Sequence, residues 1–424
     1  MLAALDDALS GGTPVYPAAP GTPAAAVQQL REAELPEGTS VVVRTSGSSG
    51  VPKAVALSAA ALRASAAATH ERLGAAAGRL ESDTDTHAGA ASDGDPAATT
   101  GGQWLVTLPG HLISGLQMLV RSHLAGTEPV FLDGPFDPAA LLAAAERMEH
   151  PRRYVSLVPV QLARVLALAE ADAGAADALR GFSGVLVGGQ AVPRPLRQRA
   201  HDLGVALRRS YGMTETAGGC VYDGVEIGDT RVRIRRTDAG GGEVQLTGSC
   251  LALGYVDDPA LTSARFIEDA AGDGSATRWY RTGDAGELLG GMLTVTGRLD
   301  RVIISGGVNV SLDEVERVVH EQPGWEGAVA LGTAHPEWGE RVALAVEIGE
   351  RADPSRAAAA SADPVAPFAE VQAAVKAALG PAAAPVWATE AEALPRLPGG
   401  KPDLPAIEAW LRELRASFAQ LRSR

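Results

Sequence analysis

Short runs of β-branched residues alternate along this chain with alanine-rich amphipathic stretches. The runs Val41–Arg44, Tyr154–Val158 and Val185–Val187 are apolar and short, which is typical of strands buried in a sheet. The stretches Ser58–Leu73 and Ala139–Met148 are long enough to form helices beside such a sheet. The alternation therefore predicts an α/β fold.

The last third of the chain shows a different pattern. Adjacent glycines at Gly290-Gly291 predict the tight turn of a β-hairpin, because glycine readily takes the positive φ values of a primed turn. Ser311, followed three residues later by Glu314, has the spacing of a capping box at the start of an amphipathic helix. We therefore predict a large multi-sheet α/β domain over residues 1–299 and a small mobile α+β domain over residues 300–424.

The composition is that of a globular protein, since 46% of the 424 residues are hydrophobic and 21% are charged. The net charge of −14 argues against general binding to nucleic acid or to an anionic membrane, because phosphate groups attract basic surfaces. The N-terminus lacks a signal-peptide pattern, and no run of about 18 apolar residues occurs. The two cysteines, Cys220 and Cys250, are too few for a disulfide scaffold, and we interpret them as buried small hydrophobes. We expect a cytoplasmic protein without membrane insertion, and the sequence leaves a homodimer open.

Two segments, 81–102 and 351–366, are rich in Ala, Ser, Asp, Gly and Pro or Thr. Such segments bury too little apolar surface to offset the entropy lost on ordering. We predict that both are solvated loop insertions.

Lysine is rare, because arginine supplies nearly all of the positive charge. Lys53, Lys376 and Lys401 are the only lysines in the chain. Lys53 and Lys401 lie in glycine-rich loops next to proline, where a role in surface solubility is a poor explanation. We therefore treat these two lysines as candidates for chemistry.

Lys53 ends the motif Thr45-Ser-Gly-Ser-Ser-Gly-Val-Pro-Lys53, which directly follows the predicted strand Val41–Arg44. Glycines and hydroxyl side chains allow backbone N–H and O–H groups to converge on phosphate oxygens, and the lysine adds a positive charge. The motif is not a Walker loop, because Val51 and Pro52 separate the last glycine from the lysine. Taken by itself it predicts either a phosphate-binding loop or a flexible Gly/Ser turn.

The same motif resembles the phosphate loop of the adenylate-forming superfamily, which includes acyl-CoA synthetases, peptide-synthetase adenylation domains and firefly-type luciferases. Further motifs of that superfamily follow in its order: Tyr211-Gly-Met-Thr-Glu-Thr216, Tyr280-Arg-Thr-Gly-Asp284, Gly297-Arg-Leu-Asp-Arg-Val-Ile-Ile-Ser-Gly-Gly307 and Leu397-Pro-Gly-Gly-Lys401. The resemblance covers most of the chain.

The resemblance implies a site for ATP and Mg²⁺. It assigns ATP binding to Thr45, Ser46, Gly47, Ser48, Ser49, Gly50, Lys53, Tyr211, Asp284 and Arg298. Within this set, Tyr211 packs on adenine or else fills the core, and Asp284 accepts the ribose hydroxyls or else forms a turn. Thr214 contacts the α-phosphate, and Glu215 holds Mg²⁺, for which a hard oxygen ligand is suitable.

The resemblance also implies two half-reactions. Lys401 is the mobile lysine that bridges the substrate carboxylate and the α-phosphate, unless it is only an exposed loop lysine. The acyl-adenylate then meets the thiol of coenzyme A after the small domain rotates about a hinge at Asp300. The loop of Ser305, Gly306 and Gly307 is expected beside the pantetheine tunnel, where glycines permit close approach.

The segment around His111 bears on the acid that is activated. Amino-acid-activating members carry a Phe-Asp pair near this point, whereas this chain has His111 and Ser114-Gly115. The segments Leu108–Ser122 and Ala125–Pro129 resemble the actinobacterial o-succinylbenzoate–CoA ligase branch of the superfamily. The stretch of about 44 residues before the phosphate loop is short for the superfamily and fits the same branch.

We expect the acyl pocket to contain His111, Ser114, Gly115, Gly188, Gly189 and Gln190. Gln190 either donates to a substrate oxygen or satisfies the backbone, and His111 is either a ligand or a packed neutral histidine. The arginines Arg208, Arg209, Arg231, Arg233 and Arg235 either meet a phosphate or carboxylate or form a solvated strand face.

The resemblance thus predicts an ATP-dependent acid–thiol ligase that activates 2-succinylbenzoate for menaquinone biosynthesis. The alternatives are another aryl or short-chain acyl-CoA ligase and a non-catalytic nucleotide-binding paralogue. The presence of Lys53, Glu215, Asp284 and Lys401 argues against the paralogue.

Overall fold

The structure is a computed structural model, which describes residues 1–45, 53–82, 101–236, 242–270, 276–347, 366–397 and 400–422. Helices in these ranges are α1 (Leu2–Leu9), α2 (Ala24–Glu32), α3 (Ala59–Ser82), α4 (Ile113–Ala125), α5 (Pro138–Glu146), α6 (Pro159–Ala171), α7 (Ala173–Arg180), α8 (Arg194–Asp202), α9 (Pro259–Arg265), α10 (Leu312–Val319), α11 (Phe368–Leu379) and α12 (Leu404–Arg422). Together with four sheets they confirm the predicted α/β class.

The largest sheet has the strand order β4-β3-β5-β6-β7-β8-β9. Its strands are β3 (Gln103–Val106), β4 (Val130–Phe131), β5 (Arg153–Leu157), β6 (Gly184–Gly188), β7 (Leu207–Met213), β8 (Gly218–Tyr222) and β9 (Val225–Glu226). The pairs from β4 to β7 are parallel, and β8 and β9 close one edge in antiparallel fashion. Predicted site residues follow the carboxyl ends of β6 and β7, where parallel α/β sheets usually bind ligands.

Helices cover both faces of this sheet. Residues of β5 alternate between two cores, because successive side chains of a strand point to opposite faces. Tyr154 packs with α3 and α4, whereas Val155 and Leu157 pack with α5 to α8. This three-layer arrangement explains why the strands are almost uniformly apolar.

Two smaller sheets flank the large one. The first has the order β1-β2-β12, and the second has the order β10-β11-β14-β13 with β15 paired to β14. Their strands are β1 (Thr39–Thr45), β2 (Lys53–Ser58), β10 (Arg231–Arg236), β11 (Gly242–Thr247), β12 (Gly254–Tyr255), β13 (Phe266–Ala270), β14 (Ala276–Leu289) and β15 (Met292–Arg298). The pairing of Leu289 with Met292 confirms the hairpin predicted at Gly290-Gly291, where both glycines have positive φ.

A fourth sheet lies in the C-terminal part of the chain, with the order β17-β16-β19-β18 and β20 paired to β19. Its strands are β16 (Val302–Ser305), β17 (Val308–Ser311), β18 (Val329–His335), β19 (Gly339–Glu347) and β20 (Trp387–Ala391). Two hydrophobic clusters on this sheet contain buried residues only from Ile303 onward. This separate core supports the predicted division, although a boundary at residue 300 stays a prediction.

Helix α10 begins as the sequence predicts. The Ser311 hydroxyl accepts a 3.3 Å hydrogen bond from the Glu314 amide, which is the serine half of the capping box. Leu312, Val315, Val318 and Val319 of this helix are buried.

The predicted loop insertions are partly wrong at their ends. Glu81 and Ser82 continue helix α3, consistent with the high helix propensity of the preceding alanine-rich stretch. Ala366 is 8% exposed, and its carbonyl accepts a 2.8 Å hydrogen bond from the Trp325 indole. Residues 83–100 and 351–365 lie outside the described ranges.

Cys220 and Cys250 are free and buried, as expected for small hydrophobes. In the described ranges, no helix combines the length and apolar character needed to cross a membrane.

Candidate active site

The phosphate-loop motif joins two paired antiparallel strands. Thr45 ends β1 and Lys53 begins β2, and the two residues are partners in the register. The Lys53 ammonium lies 5.8 Å from the centroid of the Tyr255 ring, a cation–π distance. Ser46, Gly47, Ser48, Ser49 and Gly50 fall outside the described residues, so their predicted phosphate contacts stay predictions.

Glu215 lies in a 3₁₀ turn, Thr214–Thr216, that directly follows β7. The Thr216 hydroxyl bonds to the amide of Met213 and to the carbonyl of Gly218, so it ties the turn to both flanking strands. Thr214 and Glu215 are each 8% exposed. The turn therefore presents a hydroxyl and a carboxylate from a rigid segment.

The Glu215 carboxylate accepts a hydrogen bond from a tyrosine on strand β12. The Tyr255 hydroxyl donates a 2.9 Å hydrogen bond to Glu215 Oε1 and lies 3.4 Å from the Tyr280 hydroxyl. Burial, and then the negative charge of Glu215, raise the pKa of Tyr255, so the phenol stays protonated and keeps donating.

Glu215 fits the predicted role as a ligand for Mg²⁺. Within the described ranges, no three His, Cys, Asp or Glu side chains gather into a metal cluster. Mg²⁺ commonly takes only one or two carboxylates and completes its shell with phosphate oxygens and water. A single buried carboxylate that accepts a hydrogen bond from a neutral phenol therefore suits this ion.

Asp284 lies on β14 opposite Arg298 of β15. Its two oxygens have different partners: Oδ2 accepts a 2.7 Å hydrogen bond from the Tyr211 hydroxyl, and Oδ1 is 3.0 Å from Arg298 Nη1. Burial raises the pKa of Asp284, and the bonds from Tyr211 and Arg298 oppose that rise. Each oxygen retains a second lone pair, so the predicted bonds to ribose hydroxyls stay compatible with this arrangement.

Arg298 connects Asp284 to the predicted hinge. Its Nε and Nη2 each lie 3.0 Å from an oxygen of Asp300, in a two-pronged ion pair. The Arg298 amide also donates a 2.6 Å hydrogen bond to Asp313 at the start of α10. The predicted nucleotide arginine is thus bonded both to the predicted ribose acid and to the predicted hinge acid.

Lys401 comes from the C-terminal part of the chain and points into the same region. A Cβ added at Gly189 would lie 3.4 Å from Lys401 Cε. More than a third of the residue's surface is open to solvent, yet desolvation of the ammonium lowers its pKa. Asp284 and Glu215 act in the opposite direction, and the positive charge of Arg298 lowers the pKa further. Asp284, Glu215 and Arg298, which are distant from Lys401 in the sequence, therefore act on its charge.

The predicted acyl-pocket residues are only partly brought together. Gly188 ends β6, Gly189 follows it with a φ of +84° beside Lys401, and Gln190 is exposed. Within the described ranges, no hydrogen bond joins this loop to His111 or Ser114.

His111 is the pocket candidate with unused bonding capacity. Its buried Nε2 atom has no hydrogen-bond partner within the described part of the chain. Burial lowers its pKa, which favours the neutral ring at pH 7. A Cβ at Gly115 would lie 2.2 Å from the Pro109 carbonyl oxygen, so packing requires glycine there, and its place in the acyl pocket stays a prediction.

The predicted coenzyme A loop is the turn of the β16–β17 hairpin. Ser305 is fully buried, whereas Gly306 and Gly307 form the turn with positive φ values. A Cβ at Gly306 would lie 2.7 Å from the Trp338 ring, but a Cβ at Gly307 would meet nothing within 4 Å. Gly307 therefore leaves open space, and the tunnel role of the loop stays a prediction.

The arginines before and after Tyr211 are bonded within the protein. Arg209 lies 3.2 Å from Asp223, and Arg233 pairs with Asp269 and stacks 4.0 Å over the Trp279 ring. This arrangement favours the interpretation of a solvated strand face over that of a phosphate site.

The sequence analysis did not identify Tyr255 and Gln117 as residues near the candidate site. Tyr255 reaches Glu215 and Lys53 because β12 pairs with β2, with Tyr255 opposite Val55. Gln117 of α4 is 1% exposed and donates a 2.6 Å hydrogen bond to the carbonyl of Ala217, next to the Glu215 turn. No sequence pattern near Tyr255 or Gln117 predicts these contacts, because both depend on packing between distant parts of the chain.

The fold and the convergent charges are those of an adenylate-forming enzyme. A family model described as AMP-binding enzyme matches residues 7–256, and the chain belongs to this family. The chain is 36% identical over 360 residues to a probable 2-succinylbenzoate–CoA ligase of Mycobacterium tuberculosis, a match that covers 84% of this chain and 83% of that protein.

Two further matches extend the comparison. A 2-succinylbenzoate–CoA ligase of Escherichia coli is 30% identical over 247 residues, covering 58% of this chain and 49% of that protein. The structure of o-succinylbenzoate CoA synthetase from Bacillus subtilis, in complex with its acyl-adenylate intermediate, has a TM-score of 0.64 at 24% identity. That match covers 87% of this chain and 69% of the other, and it supports the fold.

Proposed function

We propose that the chain is an AMP-forming acid–thiol ligase that converts 2-succinylbenzoate to its coenzyme A thioester. The observation that carries this proposal is the position of Lys401, whose side chain lies beside Gly189 at the end of β6, with the charges of Asp284, Glu215 and Arg298 acting on its ammonium. The names of the M. tuberculosis and E. coli relatives support the choice of acid.

In the first half-reaction, an oxygen of the substrate carboxylate attacks the α-phosphorus of ATP. The bond from that phosphorus to the oxygen bridging to the β-phosphate breaks, and pyrophosphate leaves with the electron pair. Carboxylate and triphosphate repel each other, so cations must lie where negative charge accumulates. Lys401 and Lys53 would supply positive charge there, and Thr214 would offer its hydroxyl to the α-phosphate.

Asp284 and Glu215 have separate tasks in this proposal. Asp284, held by Tyr211 and Arg298, accepts the ribose hydroxyls and so fixes the nucleotide. Glu215 would hold Mg²⁺, which supplies charge neutralisation at the phosphates when bound.

In the second half-reaction, the sulfur of coenzyme A attacks the acyl carbon of the mixed anhydride. The thiol proton is released, the bond from the acyl carbon to the phosphate oxygen breaks, and AMP leaves. This step needs Lys401 to withdraw, and we place the pivot at Asp300, whose bonds to Arg298 would have to break or move with it. A cytoplasmic location and a homodimer stay predictions.

A pyrophosphate-release assay with a panel of acids tests the substrate. We expect 2-succinylbenzoate to exceed cinnamates, benzoates and medium-chain fatty acids in kcat/KM. Turnover of fatty acids with none of 2-succinylbenzoate would contradict the proposed acid, while turnover of another aryl acid alone would support the alternative aryl-CoA ligase.

The role of Lys401 is tested by separating the two steps. Lys401→Ala is expected to slow formation of the acyl-adenylate about 100- to 1,000-fold, the usual loss for one transition-state charge contact. Thioester formation from supplied acyl-adenylate and coenzyme A should change less than about twofold. Lys376→Ala, on the exposed side of α11, is the matched control.

A further inference from the structure

Lys401 lies at the end of a short turn that is closed by its own backbone. The Leu397 amide donates to the Lys401 carbonyl at 2.8 Å, and the Gly400 amide donates to the Leu397 carbonyl at 2.8 Å. Arg396 and Pro402 form an isolated antiparallel bridge at the base of this turn. These backbone bonds join Leu397, Gly400 and Lys401 to one another, and none of them connects Lys401 to the sheet.

One guanidinium makes that connection. Arg396 Nη1 donates a 3.2 Å hydrogen bond to the carbonyl of Gly400, the residue before Lys401. Arg396 Nη2 lies 3.1 Å from Glu347 Oε2. The other carboxylate oxygen of Glu347 accepts a 2.8 Å hydrogen bond from the Leu394 amide. Glu347 therefore binds the chain before the turn directly and binds the turn itself through Arg396.

Glu347 is the last residue of β19, and its side chain is 16% exposed. Strand β19 pairs with β18 from Gly339 to Ala345 and with β20 from Ala343 to Glu347, so Glu347 is held in the sheet by its pairing with Ala391. The lysine side chain, by contrast, is a flexible chain of four carbons. A displacement of about 1 Å of a reacting group can lower a rate about 100-fold.

We propose that Arg396 and Glu347 are positioning residues that hold the Lys401 turn at the distance needed for adenylation. The proposal rests on the proposed function of Lys401. The pair acts on the backbone around Lys401, through the Gly400 carbonyl and the Leu394 amide, and not on a reacting atom. Arginine suits this task because its planar fork presents separate N–H groups to a carboxylate and to a carbonyl, which an ammonium cannot reproduce in the same geometry.

We expect the ion pair between Arg396 and Glu347 to contribute little to the free energy of unfolding. Arg396 is 30% exposed at its side chain, and partly exposed ion pairs usually contribute little to stability. A loss of activity without a loss of stability therefore separates positioning from structural support.

The test uses Arg396→Ala, Arg396→Lys and Glu347→Gln in the full chain. We expect each to slow acyl-adenylate formation about 10- to 100-fold and to change thioester formation from supplied acyl-adenylate less than about twofold. Arg341→Ala is the matched control, because Arg341 also lies on β19 and donates to two carbonyls, those of Pro381 and Ala384. The control should leave both steps within about twofold of the parent.

The double variant Arg396→Ala/Lys401→Ala provides the sharper comparison. If Arg396 acts through Lys401, the double variant is no slower in adenylation than Lys401→Ala alone. A further loss equal to that of Arg396→Ala alone, or an equal loss in both half-reactions, would overturn the proposal.

Hydrogen exchange tests the anchoring even if no acid proves to be a substrate. The amides of Leu397 and Gly400 should exchange at least about tenfold faster in Arg396→Ala than in the parent or in Arg341→Ala. Unchanged exchange at both amides would contradict the positioning role without bearing on the proposed reaction.

Discussion

Tyr211 and Asp284 are joined by a 2.7 Å hydrogen bond in which the phenol donates to the carboxylate. Tyr211 precedes the Glu215 turn, and Asp284 lies on a strand of a different sheet, so this contact connects the two halves of the nucleotide site. Burial, and then the charge of Asp284, raise the pKa of Tyr211, which keeps the phenol protonated. The same side chain can therefore face an adenine ring and hold the ribose acid in place.

Tyr211→Phe tests this dual role. The substitution keeps the ring but removes the donor, so we expect the KM for ATP to rise about fivefold with a smaller change in kcat. The free energy of unfolding should fall by about 1 kcal/mol, as measured by urea denaturation. Tyr16→Phe, outside the site, should change neither quantity. An unchanged KM for ATP would contradict the positioning of Asp284 by the phenol.

The pH dependence of adenylation should report the protonation of Lys401. Burial lowers its pKa, so the ammonium is present below that pKa and is lost as the pH rises through it. Pyrophosphate release should therefore decline on the alkaline side at a lower pH than an exposed lysine would give. The arginine of Lys401→Arg stays charged throughout this pH range. Pyrophosphate release by this variant should therefore decline only at higher pH. The same decline in both proteins would assign it to another group.

Glu215→Gln tests the metal site. The amide oxygen can still accept from Tyr255, so the free energy of unfolding should change by less than about 1 kcal/mol. The loss of one negative charge should raise the Mg²⁺ concentration for half-maximal pyrophosphate release about tenfold or more. Tyr255→Phe retains the Glu215 carboxylate, so it should raise this Mg²⁺ concentration less. An equal metal requirement in Glu215→Gln and the parent protein would remove Glu215 from this role.

Gln117→Leu tests the packing behind the Glu215 turn. The parent side chain donates to the Ala217 carbonyl at 2.6 Å and to the Leu62 carbonyl at 3.3 Å, and leucine would leave both without this donor. We expect a loss of about 1 to 3 kcal/mol in the free energy of unfolding, measured by urea denaturation. Gln198→Leu, on the exposed side of α8, should cost less than about 0.5 kcal/mol. Equal effects would mean that the buried amide contributes nothing specific.

Local patterns predicted the strands around the site closely. The run Val41–Arg44 lies within β1, Val185–Val187 lies within β6, and the Gly290-Gly291 turn pairs as expected. These elements are fixed by short-range properties, namely β-branched apolar runs and the positive φ of glycine. Helix α3 runs to Ser82, beyond the predicted end at Leu73, because an alanine-rich stretch continues a helix without an apolar stripe.

The partners of the site residues could not be predicted in the same way. Nothing within a few residues of Tyr255 indicates that its hydroxyl will meet Glu215, because that contact follows from strand pairing and sheet packing. Likewise, the pairing of Arg396 with Glu347 joins residues 49 positions apart. Motif spacing could identify the residue types needed for the chemistry, but not the side chains that orient them.

The positions of the three lysines allow the conformation of the protein to be followed by chemical labelling of their amines. Lys53 lies over the Tyr255 ring, Lys401 lies beside Gly189, and Lys376 is exposed on α11. An acylating reagent therefore meets two lysine amines at the proposed site, Lys53 and Lys401. The exposed amine of Lys376 serves as the reference. The ratio of labelling at Lys401 to that at Lys376, read by mass spectrometry, would test in the unmutated protein whether Lys401 withdraws as the proposed second half-reaction requires.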